Sequence, residues 1–167
     1  MNRMLRGIDA SFIDVKMTFD LLRTDFSNPD FISLVEKLDA YLTVVDGDEH
    51  DFYHQFNGLQ GLQHVIVLYM EDTPVACGAL KKFNQKSMEI KRMFVSPTQR
   101  KKGLASQVLH QLENWAKELG YRYCVLETGL RQEEAINLYN KSGYEVIPNY
   151  GPYQGVKNSV CFRKKLL

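Results

Sequence analysis

A chain of 167 residues, 44% apolar and 25% charged, has the size and make-up of one globular domain able to bury a proper core. Its formal charge of +1 excludes a general electrostatic drive toward nucleic acid or membrane, so any anion site has to be local. No run approaches the ~20 apolar residues of a membrane span, and the opening MNRMLRGIDASF lacks the apolar core of a signal peptide, which makes the cytoplasm the expected compartment.

In chain order, residues 19–25 read as a first strand. Asn28 as N-cap and Pro29 at the first helical position then open a helix over 29–45. A shorter helix, 49–56, ends before Asn57-Gly58. Residues 63–71, built on Val65, Ile66, Val67 and Leu68, and residues 74–83 read as strands, with 84–87 as the turn into a strand at 88–95. Ser96-Pro97 stops that strand, because proline lacks an N–H and biases its predecessor away from helix. A long helix follows from Leu104 to a C-terminal cap at Gly120. Residues 121–127 are a strand, 132–142 a helix stopped by Gly143, and 144–147 and 159–166 the last strands, around a loop at 148–156. This order predicts an α/β fold, a mixed sheet of about seven strands flanked by about four helices, in a single domain over 1–167. Cys77, Cys124 and Cys161 are odd in number, sit in apolar strand-like runs and lack C-x-x-C spacing, so buried reduced thiols are expected.

The run 88–120 carries the most chemistry. Its strand alternates Glu89, Lys91, Met93 and Val95 against Ile90, Arg92 and Phe94. Its helix carries an apolar stripe through Leu104, Val108, Leu109, Leu112 and Ala116. Between them, Arg100, Lys101, Lys102 and Gly103 front a helix N-terminus, where unpaired N–H groups, the positive dipole end and formal charge converge. Taken alone this is a solvated basic turn or a phosphate site.

Arg100-Lys101-Lys102-Gly103-Leu104-Ala105, between strand and helix, resembles the acyl-CoA signature of the GNAT superfamily of acetyl-CoA-dependent N-acetyltransferases. Leu126-Glu127-Thr128 at a strand end, Ala135 to Tyr139 on the next helix and Lys141-Ser142-Gly143-Tyr144 resemble the family's second CoA-side motif in order and spacing. The resemblance covers about residues 65–166. It implies a GNAT-type fold with an acetyl-CoA-binding core over 63–167 and substrate-side elements within 1–60. It further implies that acetyl-CoA is the co-substrate, with its pyrophosphate over the amides of Lys101 to Ser106 and its pantetheine along the backbone of Met93, Phe94 and Val95. Arg100, Lys102, Leu104, Ala105, Asn137 and Gln132 complete the expected cofactor contacts. The family often has asparagine where Gln132 stands, and glutamine offers the same amide on a longer arm.

The resemblance makes Tyr139 the general acid toward the leaving thiolate. Glu89 is the first candidate for general base, because a related branch keeps a catalytic glutamate at that distance before the loop, and Glu127 is the second. An exposed glutamate paired with a lysine is the competing reading of both. Acidic and aromatic residues on the substrate side, Asp46, Asp48, Tyr53, His54, Tyr150 and Tyr153, are expected to contact a cationic amine; a solvated acidic loop is the alternative for Asp46-Gly47-Asp48-Glu49. His50 and His54 imitate a zinc-binding helix, but aspartate replaces the usual glutamate and no third ligand follows, so no metal is expected. Arg163-Lys164-Lys165 reads as a basic sheet edge. The function so implied is transfer of acetyl to a primary amine of a small molecule or peptide by direct attack in a ternary complex. Two rivals remain: a non-catalytic acyl-CoA sensor, and a protein acetyltransferase acting on N-termini or lysines. No nucleic-acid or membrane partner is expected. A homodimer is compatible with the family, and the acceptor and the length of the acyl group stay open.

Overall fold

Asn28 sets the first helix: its side-chain oxygen accepts from the amides of Asp30 and Phe31 at 2.9 and 3.0 Å, and Pro29 follows at N1. The computed structural model describes residues 18–167. The opening segment read for a signal peptide therefore lies outside the described residues. The elements run β1 (Asp20–Thr24), α1 (Pro29–Asp46), the short α2 (His50–His54), β2 (His64–Met70), β3 (Thr73–Lys82), β4 (Ser87–Val95), α3 (Leu104–Glu118), β5 (Tyr123–Gly129), α4 (Glu133–Lys141), β6 (Glu145–Ile147) and β7 (Ser159–Lys165). Every expected strand and helix forms, with ends shifted by a few residues at most. No helix among the described residues is long and apolar enough to cross a membrane.

The strands form one seven-stranded sheet in the order β1-β2-β3-β4-β5-β7-β6. All neighbours are antiparallel except β4 and β5. The helix α3 covers one face, burying Val108, Leu109 and Leu112 with Ile66, Leu80 and Ile90. On the other face α1 buries Phe31, Leu34 and Leu38 with Val65, Val67 and Phe94. The C-terminal strand is not an edge. It lies between β5 and β6, and Lys164 bonds Glu113 of α3 at 2.8 Å, which corrects the reading of its basic run as a sheet edge. Placement across the sheet depends on long-range pairing, to which a local charge run is blind.

A bulge in β4 corrects a second reading. The register steps from Ala79↔Lys91 to Cys77↔Phe94, so Gly78 faces two residues, and Arg92 takes a left-handed φ of 58°. Past the bulge Met93 and Val95 join Met88 and Ile90 on the α3 face, while Phe94 packs on the α1 face. The strict alternation of Glu89, Lys91, Met93 and Val95 therefore breaks at Arg92. That arginine is buried and paired with Asp39 at 2.5 Å.

Gly78 permits this packing. A Cβ there would stand 2.5 Å from Met93 Sδ, 2.8 Å from Leu112 Cδ1 and 2.9 Å from Val108 Cγ1. Gly78→Ala is expected to cost about 1–3 kcal/mol through overpacking, read as a lowered midpoint in urea unfolding. An unchanged midpoint would show that the α3 face has slack.

The fold's main consequence for function lies between β4 and β5. They pair at only three positions, Ser87↔Tyr123, Met88↔Cys124 and Glu89↔Val125. Beyond these, β5 stays with β7 as far as Gly129↔Ser159, and β4 stays with β3 as far as Ala76↔Val95. The sheet splays, leaving the β5-facing main-chain groups at the end of β4 without a strand partner.

Candidate active site

A cavity of about 720 Å³ opens into this wedge. On the β4 side it is lined by Met93, Phe94 and Val95, then by Arg100, Lys101 and the start of α3 at Gly103, Leu104, Ala105 and Ser106. Unlike α1, α3 has no side-chain cap. Its N-cap is Gly103 at φ 76°, and Lys101 is also left-handed at 62°. The first amides of α3 therefore lack helical partners, and a Cβ on Gly103 would meet no protein atom within 4 Å. An open, uncapped, basic helix N-terminus fits a phosphate. Arg100 is held in place by Val95 O, which accepts from its Nε at 3.2 Å, and by the Tyr41 ring at 5.2 Å. Lys102 behaves differently: its Nζ bonds Gln99 Oε1 at 2.7 Å, and it does not line the cavity.

The facing wall comes from β5 and α4: Glu127, Thr128 and Gly129, then Gln132, Asn137 and Tyr139. Gln132 lies back over the strand end, its Nε2 3.5 Å from where a Gly129 Cβ would be. Tyr139 is buried between Tyr144 and Phe162, and burial, reinforced by the Glu127 charge, holds its phenol well above the usual range. Burial pushes the Glu127 carboxyl up to about 7; the Ser159 hydroxyl and Lys91 pull it down, while Glu89 and Asp46 push it further up. Its Oε1 is buried with no hydrogen-bond partner.

Glu89 is placed otherwise. It is 8% exposed and does not line the cavity. Tyr150 donates its hydroxyl to Glu89 Oε2 at 2.7 Å, and Lys91 Nζ lies 3.7 Å from Oε1. Of the expected substrate residues, Asp46, Tyr53 and Tyr153 line the cavity, while Asp48, His54 and Tyr150 do not. Asp48 and His54 are exposed, and the His54 ring stacks beside His50 at 5.2 Å. Tyr53 is anchored by a 3.0 Å hydrogen bond between its hydroxyl and that of Ser159.

Sequence reasoning missed Leu38, Tyr41, Leu42 and Arg131, which also line the cavity. The first three share one face of α1 with Asp46, at the spacing of its buried stripe, and that stripe looks like ordinary core. Arg131 sits in the β5–α4 loop and donates Nη1 to the carbonyls of Val45 and Asp46 at 3.3 and 3.0 Å. No local pattern marks a residue whose partners lie 86 and 85 positions away.

Known proteins bear on this arrangement. Residues 19–144 match the Acetyltransferase (GNAT) family. The chain is 34% identical over 143 residues to an IAA acetyltransferase of Azospirillum brasilense, covering 81% of this chain and 90% of that one. It superimposes at a TM-score of 0.75 on a Klebsiella pneumoniae protein assigned to the acyl-CoA N-acyltransferases, at 27% identity over 89% of this chain and 98% of that one. A GNAT family acetyltransferase from Elizabethkingia anophelis, solved with acetyl-CoA bound, shares the fold at a TM-score of 0.62 and 17% identity, covering 89% and 98% of the two chains. With the splayed sheet and uncapped α3 already in place, the match over most of its length makes this chain a member of the GNAT acetyltransferase family.

Proposed function

We propose that the enzyme transfers acetyl from acetyl-CoA to a primary amine by direct attack within a ternary complex. The observation that carries this is that the uncapped basic N-terminus of α3, Glu127 and Tyr139 all line one cavity. The amides from Gly103 to Ser106, with Arg100 and Lys101, hold the pyrophosphate, and the unpaired edge of β4 at Met93 to Val95 receives the pantetheine. Acetyl-CoA supplies the activated thioester, and the chain supplies the groups that bind it and move the protons.

An alkylamine with a pKa near ~10.4 is neutral in only about one molecule in a few thousand at pH 7, a shortfall worth roughly 4–5 kcal/mol. Glu127 is the base that offsets it. It lines the cavity, has a free buried oxygen and titrates at about 7, where a base is half ionised at working pH. Glu89, the first candidate from the sequence, is held by Tyr150 and Lys91 and serves to fix the loop over 148–156 against the sheet.

Tyr139 protonates the departing thiolate. Its raised pKa keeps the proton on the phenol until a stronger base than water appears beside it. Tyr139→Phe is expected to lower kcat about tenfold to a hundredfold with acetyl-CoA affinity unchanged by calorimetry; wild-type turnover would remove the assignment. Direct attack is favoured over an acyl-enzyme because the three thiols are buried and pushed up to about 12 at Cys77 and Cys124 and about 11 at Cys161. The proposal as a whole is tested by thiol release from acetyl-CoA against a panel of amines, with mass spectrometry of the product. Binding of acetyl-CoA without any amine-dependent release would favour the sensor reading instead.

A further inference from the structure

Asp46 is an acid in a costly place. It is the last residue of an 18-residue helix whose final turn holds no basic residue, so it faces the negative end of the helix dipole. It is 7% exposed, it lines the cavity, and among the described residues no hydrogen bond reaches its carboxylate. Burial raises its pKa, with His50 and Arg131 acting against that and Glu49 adding to it. Arg131 is exposed, and its Nη1 serves the main-chain carbonyls of Val45 and Asp46. An acid at the negative end of a helix, with no hydrogen-bond partner for its carboxylate among the described residues, is electrostatically unfavourable in the free protein, and a cation arriving from the cavity relieves it.

That cation cannot be the nitrogen that is acetylated. The attacking amine has to be neutral, and a carboxylate holding it as ammonium would raise its pKa and suppress the reaction. Glu127 already stands as the base on another element, and the charges of both Glu127 and Asp46 act on Tyr53. Leu38, Leu42 and the tyrosines Tyr53 and Tyr153 give the same space apolar and aromatic walls, suited to methylenes and to an ammonium against a ring face.

We infer that Asp46 is a specificity-determining residue that holds a second, distal ammonium of the acceptor, so that the substrate class is a small α,ω-diamine. This rests on the acetyl-transfer reading of the site. An α-amino acid would bring a carboxylate toward Asp46. A peptide would need an open groove, yet α1 and α2 are tied across to the β5 and β7 ends by Arg131, by Asn158 Nδ2 donating to Glu49 Oε1 at 2.6 Å, and by the Tyr53–Ser159 bond.

The test uses the full chain with acetyl-CoA, comparing 1,4-diaminobutane and 1,5-diaminopentane with n-pentylamine, alanine and a tripeptide amide by thiol release. The diamines should exceed n-pentylamine in kcat/KM by at least about tenfold, mainly through KM. Asp46→Asn should erase that preference while its acetyl-CoA affinity by calorimetry stays at the wild-type value, which also shows that the variant is folded. With coenzyme A present, 1,5-diaminopentane should raise the melting temperature of the wild type but not of Asp46→Asn. Equal or better use of n-pentylamine, alanine or the peptide overturns the inference, as does a diamine preference that survives Asp46→Asn. Bound acetyl-CoA with no turnover of any amine, and no diamine-dependent melting shift, overturns the transfer reading and the inference with it.

Discussion

Glu127→Gln is expected to lower kcat/KM by ~10²–10⁴-fold while leaving acetyl-CoA binding intact, because it removes the base but keeps the volume and one amide oxygen. In the wild type kcat/KM should rise with pH through an inflection near 7, where the buried carboxyl loses its proton, and this inflection should vanish in the variant. Stability supplies an independent readout. The folded pKa of about 7 stands above the ordinary value of 4.5, so between these pH values the folded state binds more protons than the unfolded one. Folding stability from this group therefore falls as pH rises through that window, on the order of 3 kcal/mol in all. Glu127→Gln should be the more stable protein at pH 8 and gain little at pH 4. A variant that is inactive and also less stable at pH 8 would mean that Glu127 holds the site together instead of taking a proton. Retained activity in Glu127→Gln would return the role to Glu89 or to ordered water.

Gly103→Val is expected to weaken acetyl-CoA binding by a hundredfold or more in calorimetry, with the circular dichroism spectrum unchanged. At φ 76° a β-branched side chain is strained by roughly 1–2 kcal/mol, which a protein of this size tolerates. No protein atom lies within 4 Å of the new Cβ, so the fold itself has room for it. The loss falls on the ligand: the strained loop re-aims the first amides of α3, and the added methyls stand at the mouth of the phosphate cradle. Wild-type affinity in a folded Gly103→Val protein would show that the α3 N-terminus does not hold the cofactor.

The cavity wall expected to hold the cofactor was legible because it is local. Gly103, the basic residues before it and the apolar stripe after it follow each other along the chain, and a helix N-terminus is a property of a few consecutive residues. Gln132, Asn137 and Tyr139 were legible for the same reason, being borne on one short helix and its entry turn. The acceptor half was legible only as a list of residue types. Asp46, Tyr53 and Tyr153 reach the cavity while Asp48, His54 and Tyr150 do not, although all six are polar or aromatic residues near helix ends and loops. Which of them turn inward depends on how α1 crosses the sheet and on the loop that fastens Tyr150 to Glu89.

Order along the chain was enough to establish the elements and the buried thiols and to single out the basic turn before α3, since hydrophobic period, capping residues and glycine placement act within a few residues. Only the tertiary structure separated the surroundings of the two glutamates. Glu89 and Glu127 both stand on central strands beside the same opening. Pairing of β4 with β5 stops at Glu89↔Val125, so Glu89 remains inside the closed part of the sheet, satisfied by a tyrosine and a lysine. Glu127, two residues past the end of that pairing, is left at the splay with one buried oxygen, Oε1, that has no hydrogen-bond partner. The difference is one of solvation and neighbours in space, and those are set by where two strands part company.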